Sequence, residues 1–206
     1  MTLEKINKMN DVLIGILKVA YLNLLWLVFT LLGLFFFGIG PATYAMMKYY
    51  DRWLRLKEAL PVTKSFWCFY KERFRQSVAI SWIYLAVFGI LWVNLFSLTQ
   101  WYLQAANVVI LVVVLFSLTH VFTVMAATSF KKIWEVLRGA ALLGLGYLHY
   151  TIISWTVILG GYVLLARTAP AVVFLFGVGG AGFILGIAGK LILEGFMEPE
   201  EVPTEI

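Results

Sequence analysis

The stretch "NVVILVVVLFSLTHVFTVMAA", residues 107–127, carries no charged side chain. An α-helix rises about 1.5 Å per residue, so a helix of this length covers the roughly 30 Å hydrocarbon core of a bilayer. The many valines would also suit a strand in water. An isolated strand in lipid, however, leaves its backbone groups unpaired. The stretch therefore predicts a membrane-spanning helix.

The whole chain has the composition of an integral membrane protein. Of its 206 residues, 62% are hydrophobic and 13% are charged, whereas a soluble domain averages just under half apolar and about a quarter charged. We predict an all-α fold, a polytopic membrane helical bundle formed by residues 1–193 as a single domain. Its five transmembrane helices are predicted at about 19–39, 78–98, 105–126, 147–166 and 171–193. The acidic residues 194–206 predict a disordered tail.

The positions of lysine and arginine predict the orientation in the membrane. Eight of the 16 basic residues lie between the first two spans, and three lie between the third and fourth. Cytoplasmic loops carry the excess of such residues, so the N-terminus is predicted outside and the C-terminus inside. This orientation leaves Lys5, Lys8 and Lys18 outside, against the rule. A first apolar run that is re-entrant and does not cross is the alternative.

Two basic segments, about 42–76 and 129–142, show the periodicity of amphipathic helices. After Ala42, apolar residues at helical spacing lie opposite Lys48, Arg52 and Arg55. The other apolar stripes are formed by Phe66, Phe69, Tyr70 and Phe74, and by Phe130, Ile133, Trp134 and Leu137. Each segment predicts helices that lie on the inner leaflet. Anionic lipids there attract each nearby Lys or Arg by about 1 kcal/mol.

The glycine-rich run "GVGGAG", residues 177–182, matches the dinucleotide-binding pattern. That pattern needs a strand–helix–strand unit around it, and this one lies in an apolar span. The spacing of Gly182, Gly186 and Gly189 instead predicts close packing between helices.

Catalytic and metal-binding patterns are missing from the sequence. His120 and His149 have no second ligand at a useful spacing, and Cys68 lies in a different segment. We therefore expect no metal, no cofactor and no enzymatic activity. Nucleic-acid binding is not expected, because the basic residues lie between the apolar runs, where cytoplasmic loops hold them. Proton-coupled transport is disfavoured, since no Asp or Glu lies deep in a predicted span.

Residues 38–77, "GIGPATYAMMKYYDRWLRLKEALPVTKSFWCFYKERFRQS", resemble the YesL-like family of uncharacterised bacterial integral membrane proteins. The resemblance is carried by Pro41, Ala42, Arg52, Trp53, Glu58, Pro61, Phe66, Trp67, Tyr70 and Phe74. One departure is "LKEA", where the family often has Gly-Glu. The resemblance implies a protein of about 200 residues with about five spans. It also implies a genetic setting beside carbohydrate-uptake ABC transporters and polysaccharide-degradation genes.

The expected function is that of a non-enzymatic accessory protein of the bacterial plasma membrane, with the lipid bilayer as its surroundings. The resemblance suggests a carbohydrate ABC transporter or a membrane sensor as partner. Arginine and large aromatic residues concentrate interface energy, so the predicted docking surface consists of Arg52, Trp53, Phe66, Trp67, Tyr70 and Phe74. The alternative is a small-solute transporter or exporter, which would need a polar cavity between its spans.

Overall fold

The computed structural model describes residues 3–197, which form helices joined by short connections and contain no β-strand. The helices are α1 (Leu3–Leu32), α2 (Ile39–Tyr50), a π-helical turn (Asp51–Arg55), α3 (Val62–Glu72), α4 (Phe74–Ser97), α5 (Trp101–Ala127), α6 (Ile133–Gly146), α7 (Leu148–Thr168) and α8 (Pro170–Met197). The predicted all-α fold class is confirmed. The predicted tail began at residue 194, but α8 continues to Met197. The rest of that tail lies outside the described residues.

Five of these helices are long and apolar enough to cross a membrane, as expected of a multi-pass membrane protein. The candidate spans are Asn7–Leu32, Phe74–Ser97, Trp101–Ala127, Leu148–Thr168 and Pro170–Gly195. Their outward faces carry many exposed Leu, Ile, Val and Phe side chains. Such faces suit contact with lipid rather than water.

The first span ends earlier than its hydropathy predicted. Helix α1 ends at Leu32 and not near residue 39, because the chain reverses in an apolar turn, residues 33–38. Leu34 and Phe35 have positive φ angles of 54° and 62°. A Cβ added to Gly33 would lie 2.4 Å from the Cα of Gly38, so the turn requires the absence of a side chain there. The turn could not be recognised from the sequence, because all six of its residues are apolar.

Helix α2 lies in the core and not on the membrane surface. Nine of its twelve residues are buried, and it contacts α1, α3, α4, α5 and α8. Small residues allow this close packing: a Cβ added to Gly40 would lie 2.5 Å from the carbonyl oxygen of Ser77. The prediction of an amphipathic surface helix was therefore wrong for this part of the segment 42–76. The nine residues before Lys48 contain no charge, which makes their burial possible.

Helix α3 has the amphipathic character that its sequence predicts. Phe66, Phe69 and Tyr70 are buried along one side, while Trp67 and Lys71 face outward. The ring of Phe29 in α1 lies 5.2 Å from that of Phe66, centroid to centroid. Helix α3 therefore covers the end of α1 next to the apolar turn.

Helix α6 packs on α5 through a face that includes part of the predicted stripe, since Ile133 and Leu137 pack against the core. Its buried residues are Val136, Ala140 and Gly144, whereas Trp134 of the predicted apolar stripe is exposed. A Cβ added to Gly144 would lie 2.7 Å from the carbonyl oxygen of Phe116. The residues spaced four apart, among them Ala140 and Gly144, bring the two backbones together.

Helices α1 and α8 run antiparallel. The amide N–H of Gly179 donates to Oδ1 of Asn23 over 2.9 Å, and Nδ2 of Asn23 donates to the carbonyl of Phe174 over 3.0 Å. A Cβ added to Gly179 would also lie 2.8 Å from the carbonyl oxygen of Val19. Later positions of α1 thus meet earlier positions of α8. Five helices that crossed in alternation would instead make the first and the last parallel.

Candidate functional site

Six charged side chains gather where α2 ends, and we call them the charged cluster: Lys48, Asp51, Arg52, Arg55, Glu58 and Glu72. Helix α2 passes directly into the π-helical turn, in which the N–H of Leu56 donates to the carbonyl of Asp51 over 3.3 Å. Single π-turns within helices are frequent at functional sites. The turn places three members of the cluster beside the buried core.

Asp51 and Arg55 form a largely shielded ion pair within the π-helical turn. Nε and one terminal nitrogen of Arg55 donate to the two carboxylate oxygens over 2.6 and 2.7 Å. The side chains are only 9% and 12% exposed. The hydrogen bond from Arg55 to Asp51 raises the pKa of the guanidinium, although burial opposes it. Two parallel charge-assisted bonds of this kind fix the geometry of the turn.

Two further ion pairs complete the charged cluster. Nζ of Lys48 donates to both carboxylate oxygens of Glu72 over 2.6 and 2.5 Å, which joins α2 to α3. Arg52 donates to Glu58 over 2.9 Å, in a pair whose side chains are 40% and 33% exposed. Each carboxylate of the cluster is therefore held by a cation.

The structure divides the six predicted docking residues between surface and core. Arg52 is accessible in its exposed ion pair, and Trp67 is 44% exposed with Nζ of Lys71 3.9 Å from its ring centroid. Phe66 and Tyr70 are buried, and the Tyr70 hydroxyl donates to the carbonyl of Phe29 over 3.2 Å. Phe66 and Tyr70 therefore cannot contact a partner, because the face they share covers α1.

The two remaining docking residues are half-buried. The ring of Trp53 lies 5.9 Å from that of Phe183 and 6.3 Å from that of Tyr50, with Nζ of Lys18 4.9 Å above it. Phe74 packs edge-on against Tyr70 at 5.5 Å. Trp53 therefore connects α1, the π-helical turn and α8, and its main contacts are internal.

The three predicted packing glycines all lie at close contacts. A Cβ added to Gly182 would lie 2.7 Å from Cε of Met46, and one added to Gly186 would lie 3.0 Å from Cβ of Tyr50. A Cβ added to Gly189 would lie 2.5 Å from Cγ2 of Thr123. Helix α8 thus uses this glycine face against α2 and α5.

The sequence analysis did not single out Gly179, which lies against the backbone of α1. Its carbonyl also accepts a hydrogen bond from the buried Tyr50 hydroxyl over 2.7 Å. Its helical spacing could have identified it, since Gly179 stands three residues before Gly182, which stands four residues before Gly186. A run of four glycines in six positions does not show which of them is in contact.

We expect Gly182→Leu to lower the melting temperature in detergent. The larger side chain must displace Met46 and Tyr50, and overpacking of this kind typically costs about 1–3 kcal/mol. Val172→Leu, on the same helix at a partly exposed position, is the control and should melt like the wild type. Equal melting of both variants and the wild type would show that this glycine face is not tightly packed.

Buried polar side chains inside the bundle satisfy one another in part. Nε2 of His120 lies 2.8 Å from Oγ1 of Thr151, and Nε1 of Trp155 donates to Thr119 over 3.0 Å. The partner of His120, Thr151, comes from a different span. Nδ1 of His120 has no hydrogen-bond partner among residues 3–197.

The described part of the chain contains no group of three or more His, Cys, Asp or Glu residues that could hold a metal. A groove of about 440 Å³ is lined mainly by charged residues where α3 meets α4. Two others, of about 370 and 270 Å³, have almost entirely apolar walls. The larger lies between α4, α5 and α6, and the smaller lies beside the apolar turn. Neither offers a polar path through the bundle.

Comparison with known proteins gives one family match, "Protein of unknown function, DUF624", over residues 19–95. This region contains the apolar turn, α2, the charged cluster and α3. The uncharacterized protein YteU of Bacillus subtilis (strain 168) is 32% identical over 168 residues, which cover 79% of this chain and 75% of YteU.

Two further proteins of the same organism match over shorter regions. The uncharacterized protein YesV is 39% identical over 80 residues, which cover 39% of this chain and 38% of YesV. The uncharacterized protein YesL is 37% identical over 71 residues, which cover 34% of each chain. No solved structure matches the chain. The chain therefore belongs to the YesL-like family of uncharacterised proteins, to which the resemblance of residues 38–77 pointed.

Proposed function

We propose that this protein is a non-enzymatic accessory protein of the bacterial plasma membrane that binds another membrane protein beside its charged cluster. The observation that carries the proposal is the mutual pairing of the cluster: Asp51, Glu58 and Glu72 are each held by Arg or Lys. A general acid or base needs a group free to exchange a proton with a substrate. Carboxylates held in this way serve better to present a fixed surface than to perform chemistry.

The accessible part of the predicted docking surface is formed by Arg52 and Trp67. Arginine and tryptophan are enriched among the residues that dominate binding energy at interfaces. Both are held in place, Arg52 by Glu58 and Trp67 by Lys71. Side chains that are ordered before binding lose less entropy when a partner arrives.

The proposed partner is a carbohydrate ABC importer or a membrane sensor that accompanies one. Support for the sugar-related setting comes from the family resemblance alone. Support for a partner comes from the accessible Arg52 and Trp67, which both lie within the family-matched segment.

A small-solute transporter or exporter is the second candidate. The buried polar side chains of α5 and α7, among them His120 and Thr151, favour it, because polar groups at membrane depth often mark substrate paths. The apolar walls of the two grooves beside α4 oppose it. The accessory function therefore has the stronger support.

Co-purification in mild detergent tests the proposal. We expect the tagged wild-type protein to retain an ABC permease or a membrane sensor, identified by mass spectrometry. Arg52→Gln and Trp67→Ala should each reduce its recovery more than tenfold, since a dominant interface residue contributes roughly 2 kcal/mol or more.

Two variants serve as matched controls for this experiment. Lys57→Gln removes a basic charge near the cluster, and Trp101→Ala removes an exposed tryptophan from the start of α5. Both should retain the partner at the wild-type level. Equal recovery with all four variants, or no transporter or sensor with the wild type, would refute the docking function.

A further inference from the structure

We propose that α1 and α2 form a re-entrant hairpin that enters the bilayer from the cytoplasmic face and returns to it. The apolar turn, residues 33–38, then lies among the lipid acyl chains, and the start of α1 and the end of α8 lie on the cytoplasmic side. This membrane contact is independent of the proposed docking function.

The antiparallel pairing of α1 and α8 supports the position of the termini. Because Asn23 meets Gly179 and Phe174, the start of α1 and the end of α8 lie at the same end of this helix pair. A cytoplasmic C-terminus therefore implies a cytoplasmic N-terminus. Lys5, Lys8 and Lys18 then join the other basic residues inside, and only Arg167 of the 16 remains outside. The conflict with the positive-inside rule disappears.

The composition of the apolar turn suits lipid and not water. Turns in water are rich in Asn, Asp, Ser, Gly and Pro. Between its two glycines this turn has only Leu34, Phe35, Phe36 and Phe37, which are 48–78% exposed. Burial of four such side chains in hydrocarbon is favourable, at about 25 cal/mol for each Å² removed from water.

The backbone N–H groups of the apolar turn have hydrogen-bond partners within the protein, as an environment without water requires. Every N–H from Gly33 to Ile39 donates to a carbonyl within residues 29–35, over 2.7–3.2 Å. The Tyr70 hydroxyl gives the carbonyl of Phe29 an additional donor. Backbone groups in lipid need such internal partners, since unpaired groups there cost several kcal/mol.

The short return leg favours a turn within the bilayer, although α1 itself, at 30 residues, is long enough to cross. The return leg, α2 with the π-helical turn, has 12 and 5 residues and is about 25 Å long, shorter than the roughly 30 Å core. The rings of Phe36 and Phe37 pack on Trp82 at 6.3 and 5.9 Å. Trp82 lies about 12 Å along α4 from its first residue, Phe74.

Thiol labelling with a membrane-impermeant maleimide tests the hairpin. Single cysteines are introduced into a Cys68→Ser background and labelled in intact spheroplasts and in inverted vesicles. The thiolate is the reactive form, so a cysteine in hydrocarbon should not react. We expect Lys5→Cys to react at least tenfold faster in inverted vesicles, and Thr99→Cys, in the α4–α5 turn, to react faster in spheroplasts.

The variants Phe36→Cys and Leu34→Cys report on the turn itself. Both should stay unlabelled from either side and react only after denaturation. The side chain of Leu34 is more exposed than that of Phe36. Leu34→Cys therefore still reports on the turn if loss of the Phe36 ring disturbs the packing on Trp82. Labelling of Lys5→Cys in spheroplasts would overturn the cytoplasmic N-terminus. Labelling of both turn variants from either side would overturn the placement in lipid.

Discussion

Gly179→Ala is expected to lower the melting temperature in detergent although it replaces glycine by a better helix former. The new Cβ would lie 2.8 Å from both the carbonyl oxygen of Val19 and Cβ of Asn23. Neither atom can move without shifting α1, so we expect a loss of about 1–3 kcal/mol. For a chain of this size, each kcal/mol lowers the melting temperature by about 2–4 °C.

Gly177→Ala is the matched control, two residues away on the same helix. No atom lies within 4 Å of a Cβ added there. Alanine is favoured over glycine in a helix by up to about 1 kcal/mol, so this variant should melt at or slightly above the wild-type temperature. If Gly179→Ala melts no lower than Gly177→Ala, α1 and α8 do not pack through Gly179.

Asp51→Ala is expected to destabilise the protein by about 1–3 kcal/mol, because it leaves a charged donor without its hydrogen-bond partner. The guanidinium of Arg55, only 12% exposed, then lacks its carboxylate. The expected measurement is a large fall in melting temperature together with loss of monodisperse protein in detergent.

Glu58→Ala removes a carboxylate from the exposed pair with Arg52 and provides the comparison. Exposed pairs contribute about 0–1 kcal/mol, so this variant should remain close to the wild type. The double variant Asp51→Leu with Arg55→Leu should recover much of the loss, because it removes both charges. Equal effects of Asp51→Ala and Glu58→Ala would show that Asp51 and Arg55 are solvated in the protein.

The long apolar helices could be predicted because the length and hydropathy of a segment are enough to identify a candidate membrane-spanning helix. A helix such as α5, without charge over residues 107–127, has no stable alternative in lipid. The turn 33–38 escaped notice for the same reason, since hydropathy does not distinguish a turn made of Leu and Phe from a continuing helix. Only the backbone reversal at Leu34 and Phe35 reveals it.

The position of α2 could not be read from its own residues. Lys48, Arg52 and Arg55 favour a solvated helix unless their partners are known, and Glu72 comes from another helix. The aromatic stripe of α3 was found, but its periodicity does not show whether Phe66 faces a partner or the neighbouring α1. Contacts between segments far apart in the sequence determine both the position of α2 and the direction in which Phe66 faces.

The orientation of α1 relative to α8 is tested most directly by two distances between spin labels, measured by double electron–electron resonance in nanodiscs. With Cys68→Ser as background, one pair is Asp11→Cys with Leu191→Cys, and the other is Leu31→Cys with Leu191→Cys. Antiparallel packing at an interaxial distance of about 8–10 Å predicts a first distance of roughly 20 Å or less. The second should be about 35 Å, because about 20 further residues of α1 intervene at 1.5 Å each. A longer first distance than second would show that α1 and α8 run parallel, as in five alternating spans, and would contradict the hairpin fold.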